Sequence, residues 1–438
     1  MFGMSRIDLQ LDKQRRSDII RHNELVKKNR DVLKRFIDCV CFLAIHELPF
    51  RGHNERVNSF NQGNFLGCLN LLSSYDSILN VHLETSKIFR GTSNRIQNDF
   101  ICSVSNIIST SIESEIKNTN FVAILLDETS DITNLSQLST TLRYVHHETG
   151  EAHERFISFV DVSADRSADG LLKHVIDIVN RYELKHKLVA QTYDEAAVMS
   201  GHVGGIQVKV KELYRKALFV HCFSHSLNLV LSQSASNIKD YNSNDWDNKA
   251  IVLSQGFINF LDSRQTYFLL IVFSKIFSLT DILYEVLQTK RLDILYCVKK
   301  IEETKCQLQN YRLNLFEKLW ETVLSDKGNF EIQRKIRDPK TFYKVLFNEI
   351  FDNILANLQA RFGFLNKFEF LSLIDPKFLN TNPNDLVKKI KMNDLISAFQ
   401  EVFKLSQLIL TIPSTIASVE RSFSALKRIK DLHKGKKD

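Results

Sequence analysis

The segment from Phe121 to Asp131 constrains the fold of this chain most, because an apolar run of strand length ends there abruptly in carboxylates. Its sequence is Phe-Val-Ala-Ile-Leu-Leu-Asp-Glu-Thr-Ser-Asp. A short apolar run that is followed by polar residues predicts a buried strand. At the end of that strand Asp127 has two interpretations: it caps a turn together with Thr129 and Ser130, or it holds a metal ion. The segment alone leaves both open.

The composition indicates a globular protein of a reducing compartment. A chain of 438 residues with 44% hydrophobic content has room for roughly two to three domains, and a net charge of +7 is compatible with a nucleic-acid partner without establishing one. The seven cysteines show no CxxC spacing, and we expect no secretory leader, which argues against a disulfide framework and a zinc finger. The apolar run at Phe268 is too short for a membrane span and is typical of a buried helix.

The first third of the chain has a helical pattern. Residues 1–36 are strongly basic, so this segment is either an arm that contacts phosphates or the solvated face of a helix. Residues 64–84 and 88–119 continue the helical spacing of apolar residues. We therefore expect a helical lead-in domain over 1–119.

After Phe121 the pattern changes to strands. Period-two segments at 138–145 and 154–162 follow the first strand and are separated by a turn at Gly150, which predicts three consecutive antiparallel strands. A capped helix, a fourth strand ending at Asp194, another helix, a fifth strand at 217–222 and a further helix complete the order. This is the connectivity of a ribonuclease H-like α/β fold with a mixed sheet, in which the first and fourth strands are parallel neighbours.

That adjacency would bring Asp127 and Asp194 to the same edge of the sheet. Neighbouring strands lie about 4.8 Å apart, so the two carboxylates would repel each other unless a divalent cation lay between them. Two-metal phosphoryl chemistry needs a further acid, and Glu420 is the candidate because it stands beside the apolar face of an amphipathic helix that begins near Pro413. The alternative is a surface glutamate paired with a nearby arginine.

The chain contains four ordered motifs. They are Leu126-Asp-Glu-Thr-Ser-Asp131, Tyr193-Asp-Glu-Ala-Ala-Val-Met-Ser-Gly201, His221-Cys-Phe-Ser-His-Ser-Leu-Asn228 and the segment from Ile412-Pro to Glu420-Arg-Ser-Phe-Ser-Ala-Leu-Lys. Together they resemble the motifs of the hAT superfamily of DDE transposases, and more narrowly those of zinc-finger-associated, transposase-derived proteins with a hAT C-terminal dimerisation region. The resemblance extends from about residue 21 to residue 430.

The resemblance implies catalytic and metal-binding roles for Asp127, Asp194 and Glu420, with Mg²⁺ or Mn²⁺ as cofactor. Cys222 and His225 match the family's CxxH motif. We interpret Cys222 as a packed structural thiol, whereas His225 either holds the local fold or contacts the scissile DNA. The residues that we consider for DNA contact are His225, Arg421, Lys427 and Arg428.

The chain also departs from the family pattern. No zinc-ligand spacing precedes the helical lead-in, and the sequence ends soon after the glutamate helix, so we expect a missing N-terminal finger and a truncated dimerisation region. Self-association would then be weakened. The expected domains are the lead-in at 1–119, the first part of the ribonuclease H-like core at 120–235, an all-α insertion at 236–405, and the end of the core with the truncated dimerisation region at 406–438.

Two functional hypotheses of different classes follow. The first is a transposase-like protein that cleaves DNA and transfers strands with a metal-dependent triad, and the sequence leaves open whether this enzyme activity is retained. The second is a non-catalytic, transposase-derived nuclear factor that binds DNA or protein, and a defective transposon copy is a third interpretation. Under the first two we expect DNA as a partner and a nuclear location, with no membrane and no small-molecule substrate.

Overall fold

The structure is a computed structural model that describes residues 7–52, 54–55, 59–86, 89–130, 135–194, 196–236, 264–289, 294–325, 338–363 and 383–434. The chain divides into two compact units. The first comprises Met1–Ile112 together with Phe423–Asp438, and the second comprises Glu113–Ser422.

The described residues form helices and five strands. In the first third of the chain the helices are α1 (Ile7–Ile45), α2 (Asn64–Ser73), α3 (Ser77–Thr85) and α4 (Asn94–Lys117). The sheet region contains β1 (Val122–Ser130), β2 (Ser136–Val145), β3 (Ala152–Asp161), α5 (Ala168–Arg181), β4 (Leu188–Tyr193), α6 (Ala197–Ser200), α7 (Ile206–Leu213), β5 (Leu218–His221) and α8 (Phe223–Ser236). The later helices are α9 (Arg264–Gln288), α10 (Ile294–Asn314), α11 (Phe316–Ser325), α12 (Pro339–Phe362), α13 (Pro383–Met392), α14 (Gln400–Thr411) and α15 (Ala417–Lys434).

The first unit has a small aromatic core of its own. Phe36 of α1 is fully buried and packs against Phe65 of α2 with ring centroids 6.2 Å apart. The side chain of Asp76 caps α3 by accepting a hydrogen bond from the backbone N–H of Leu79, and it also pairs with Arg35 at 2.7 Å. Apolar packing and one partly exposed ion pair therefore connect these helices.

The five strands form one mixed sheet in the order β3-β2-β1-β4-β5. β1, β2 and β3 pair antiparallel as consecutive neighbours, whereas β1 pairs with β4, and β4 with β5, in parallel. This confirms the predicted α/β fold, including the parallel adjacency of the first and fourth strands. β2 is buried along its whole length, since it lies between two neighbours within the sheet.

One strand is longer than the sequence predicts. The sequence places the end of β1 at its carboxylates, but the ladder with β2 continues to Ser130, and Asp127 is paired with Ser139. The parallel ladder with β4 ends earlier, at Leu125 and Thr192. Asp127 therefore lies within a strand that is held on one side by β2, so its backbone is fixed more firmly than that of a loop residue.

The helices α9 to α12 form an apolar core together with α8 and one side of the sheet. Within the described residues α9 is the helix whose length and composition would allow it to cross a membrane, which is weak evidence for a span. Its Phe268 and Ile276 are fully buried, and Phe268 contacts Tyr343 of α12 with ring centroids 4.9 Å apart. The packing of α9 is that of a core helix.

A substitution at Gly150, in the turn between β2 and β3, would test the geometry of that turn. Its φ of +69° lies in the left-handed region, and an added Cβ would lie 2.9 Å from Cγ1 of Val387. We expect Gly150→Ala to lower the free energy of unfolding by about 1–3 kcal/mol because it combines backbone strain with overpacking. Gly204→Ala is the matched control, since a Cβ there has no neighbour within 4 Å. Urea denaturation would measure both, and equal stabilities of the two variants would contradict the assigned turn.

Candidate metal centre

The sheet register places Asp127 and Asp194 side by side. The last pair in the parallel ladder joins Leu125 of β1 to Thr192 of β4, and the two aspartates each stand two residues further along. Because alternate residues of a strand point to the same face, the two side chains leave the sheet in the same direction. Oδ1 of Asp194 also accepts a hydrogen bond of 3.2 Å from the backbone N–H of Ala196, which fixes its orientation.

Glu420 reaches the same region from the first turns of α15. Ser422, two residues later, shares a hydrogen bond of 2.8 Å between hydroxyl oxygens with Ser139, and Ser139 is the residue of β2 that pairs with Asp127. Val419 is fully buried and anchors the helix beside the sheet. Oε2 of Glu420 accepts a hydrogen bond of 3.3 Å from the side-chain amide of Gln288, so the carboxylate has a positioning partner on α9.

The electrostatics of Asp127 show that the three acids interact. Burial, followed by the charges of Asp194 and Glu420, raises the pKa of Asp127 from its ordinary 3.8 to about 7. A carboxyl group whose pKa is raised by two neighbouring carboxylates is typical of a functional site. The repulsion between the three groups lowers the stability of the fold when all of them are ionised. The oxygens of the three residues do not all lie within 4.8 Å of one another, so the arrangement is more open than a closed ligand cage.

The donor set fits a hard divalent cation. Carboxylate oxygens are the ligands that Mg²⁺ and Mn²⁺ prefer, and a cation would remove the repulsion that raises the pKa of Asp127. The residues that would hold the ion are Asp127, Asp194 and Glu420.

Comparison with known proteins gives the family. Residues 8–205 match the family model described as ZMYM1/FAM200, RNase-like domain, and residues 375–436 match the hAT family C-terminal dimerisation region. The two matches together cover more than half of the chain and contain all three acids. Over these two segments the chain is similar to hAT-derived, transposase-like proteins. The second match begins at residue 375 and so includes α13 and α14 as well as α15.

A human protein named 52 kDa repressor of the inhibitor of the protein kinase is 24% identical to this chain over 216 residues. The matched part is 48% of this chain and 28% of that relative. The match therefore covers much less than the full length of this relative.

The CxxH motif of the hAT family lies where β5 passes into α8. Burial raises the pKa of the Cys222 thiol to about 12, despite backbone N–H groups of His225 and Ile416 that hydrogen-bond to the sulfur. At neutral pH this thiol is protonated, which suits a packing role better than a role as nucleophile or zinc ligand. The His225 side chain is only partly buried, at the start of α8.

The basic residues that the sequence suggests for DNA contact are not all in one unit. Arg421 belongs to the second unit, beside Glu420, and donates a hydrogen bond of 3.4 Å to the backbone carbonyl of Gln288. Lys427 and Arg428 belong to the first unit, where both are exposed and Arg428 pairs with Glu47. Asp131 and Glu195, which also belong to the family motifs, lie outside the described residues.

Sequence reasoning missed a second titratable cluster, formed by Glu115, His146 and His153, whose ligand atoms lie within 4.8 Å of one another. Arg155 already donates to both oxygens of Glu115 at 3.1 Å, and its Nη2 lies 3.3 Å from Nδ1 of His153. Burial alone would raise the pKa of Glu115, but hydrogen bonds from Tyr144 and Arg155 outweigh it and lower that pKa. The guanidinium therefore supplies the positive charge that a metal would otherwise bring.

The raised pKa of Asp127 leads to a stability prediction for the metal-free protein. The folded-state pKa of about 7 lies above the unfolded-state value near 3.8, so this group lowers the stability of the fold as the pH rises through that window. We expect Asp127→Asn to be more stable than the wild type in a chelator at pH 8, by about 1–3 kcal/mol, and this gain to shrink toward pH 4.

Thermal denaturation between pH 4 and pH 8, without and with Mg²⁺, would measure this effect. Mg²⁺ should stabilise the wild type and leave Asp127→Asn unchanged, because a ligand stabilises only a folded state that binds it. Asp281→Asn is the control, since Asp281 is an exposed acid of α9. A gain that is independent of pH, or one that Asp281→Asn reproduces, would contradict the assigned electrostatics.

Proposed function

We propose that this chain is a hAT-type transposase-like protein that cleaves DNA phosphodiester bonds and transfers strands at Asp127, Asp194 and Glu420, with Mg²⁺ or Mn²⁺ as cofactor. The observation that supports this proposal is the raised pKa of Asp127, whose named causes after burial are Asp194 and Glu420. These carboxylates come from two strands and from a helix that is distant in sequence. Because they repel one another, bringing them together destabilises the fold, which is expected of a functional site and not of a structural one.

The roles of the residues follow from their surroundings. Asp127, whose pKa is raised by both other acids, would bind at the centre of the site, and Asp194 and Glu420 would flank it. The side-chain amide of Gln288 donates a hydrogen bond to the Glu420 carboxylate and so fixes its orientation. The hydrogen bond between Ser139 and Ser422 holds the start of α15 beside β2. When bound, the divalent cation supplies a polarised oxygen nucleophile and stabilises the leaving oxygen. The partly exposed His225 is a candidate to contact the DNA strand.

A second function is favoured by a different observation. The human relative is named a repressor, and residues 375–436 match a dimerisation region, which together support a non-catalytic nuclear factor that binds DNA or protein as a dimer. In that case the same fold would present a DNA-binding surface, and the acids would be retained without cleavage. Both functions would locate the protein in the nucleus, with DNA as the partner under the first and DNA or protein under the second.

A cleavage experiment tests the first function. Purified protein is incubated with Mg²⁺ or Mn²⁺ and DNA from the regions that flank its gene, and cleavage and strand transfer are followed on gels. We expect Asp127→Asn, Asp194→Asn and Glu420→Gln each to lower the rate by more than about 100-fold, because each removes a ligand for the metal. Asp281→Asn should retain the wild-type rate.

The results separate the two functions. Metal-dependent cleavage that requires all three acids would establish the first. DNA binding and chromatin association that persist in the triple acid variant, without any cleavage by the wild type, would establish the second. Cleavage that is unaffected by Asp127→Asn would overturn the assignment of the site.

A further inference from the structure

A cavity of about 300 Å³ lies in the second unit beside the carboxylate region. It is bordered by the start of β3, by the last residues of β2 and by the first turns of α15. The residues that line it are Arg143, Ala152, His153, Glu154, Arg155, Ser418 and Arg421.

The charge of this cavity is positive. Its lining contains three guanidinium groups, of which Arg143 pairs with Glu154 and Arg155 pairs with Glu115. The charge of Arg421 is therefore the net positive charge of the cavity if His153 is neutral. Burial and the neighbouring Arg155 lower the pKa of His153, so its ring is uncharged at neutral pH. Anions are the ligands that such a lining favours.

The arginines are held in place by other groups of the fold. Arg143 is buried, and it donates to the backbone carbonyl of Leu410 and to Glu154 at 2.9 and 2.6 Å. Arg155 is held by Glu115, and the bond from Arg421 to Gln288 uses one of the five N–H donors of its guanidinium. The fixed guanidinium groups of Arg143 and Arg155, together with the further N–H donors of Arg421, form a site that is organised before a ligand arrives.

Ser418 adds a hydroxyl without a partner. Its Oγ is buried and has no hydrogen-bond partner within the described part of the chain, which leaves a donor unsatisfied at the cavity. Ser418 and Arg421 are three residues apart on α15, so their side chains lie on the same face of that helix. An anion in the cavity would satisfy the hydroxyl and the guanidinium together.

We propose that this cavity binds a phosphodiester group of the DNA strand that is presented to the carboxylates. Arg143 stands four residues along β2 from Ser139, the partner of Asp127, which corresponds to about 13 Å of strand. With a rise of about 3.4 Å per nucleotide, the bound phosphate would be a few nucleotides from the one at the acids. The inference rests on the proposed DNA function and adds a phosphate contact that fixes the register of the strand.

A binding experiment without cleavage tests this inference. The full chain is titrated with a fluorescein-labelled DNA duplex in a chelator, and its affinity is measured by anisotropy over a series of salt concentrations. We expect Arg421→Gln to lower the affinity by about 3–10-fold and the slope of log K against log salt by about 1, because one phosphate contact is lost. Ser418→Asp should weaken binding at least as much, since it adds a negative charge to the cavity. Arg421→Lys should lie between the wild type and Arg421→Gln.

Arg215→Gln is the matched control, because it removes one exposed positive charge just before β5, at the opposite edge of the sheet from β3. Circular dichroism would establish that each variant is folded. An affinity and slope for Arg421→Gln and Ser418→Asp equal to those of Arg215→Gln would overturn the proposed cavity site while leaving the cleavage proposal standing.

Two further outcomes would show which of the two proposals is wrong. If the wild type binds the duplex with the expected sensitivity but never cleaves it, the cavity site stands and the catalytic proposal falls. If inorganic phosphate or an oligoglutamate peptide binds with the same dependence on Arg421 and the duplex does not, the cavity serves a free anion or an acidic protein, and the DNA assignment is wrong.

Discussion

The parallel pairing of β1 with β4 is the constraint on which the rest of the site depends. It places two aspartates at matching positions of adjacent strands, in surroundings where water screens their charges poorly. The pairing of β1 with β2 then holds one of them within a strand, so that it cannot turn away into solvent. α15 adds a third carboxylate to this repulsive pair. The sheet therefore fixes an arrangement that is unfavourable for the apoprotein and favourable for a cation.

The charged groups within the second unit have two kinds of surroundings: some contact groups of opposite charge, and others lie near groups of the same charge. Arg143 and Glu115 are each surrounded by oppositely charged or hydrogen-bonding partners, and the pKa of Glu115 is lowered as a result. Asp127 is surrounded by groups of its own sign, and its pKa is raised. The lowered pKa of Glu115 fits a structural role, because its charge is satisfied by the fold, whereas the raised pKa of Asp127 supports the proposed role of that acid as a ligand for a cation.

The strands and the two aspartates could be predicted from the sequence because their signals are local. Alternation of apolar residues identified the strands, and their order implied which of them are neighbours. Glu420 could be assigned only through the family resemblance, since a glutamate on an amphipathic helix has no distinguishing pattern. The arginine-lined cavity was not predictable, because its lining comes from β2, β3 and α15, and no periodicity relates Arg143 to Arg421. The one available signal was Arg143 within a strand that is buried along its whole length, since a charge at such a position requires partners.

The wide separation of Glu420 from the other two acids along the chain has a consequence for biosynthesis. A ribosome releases β1 and β4 long before α15, and domains fold as their segments emerge. A nascent chain can therefore pair its strands while the third carboxylate is still unsynthesised. Such an intermediate has the sheet of the mature protein and only two of its three acids. The order of the residues thus delays completion of the site until the helices between β5 and α15 have been translated.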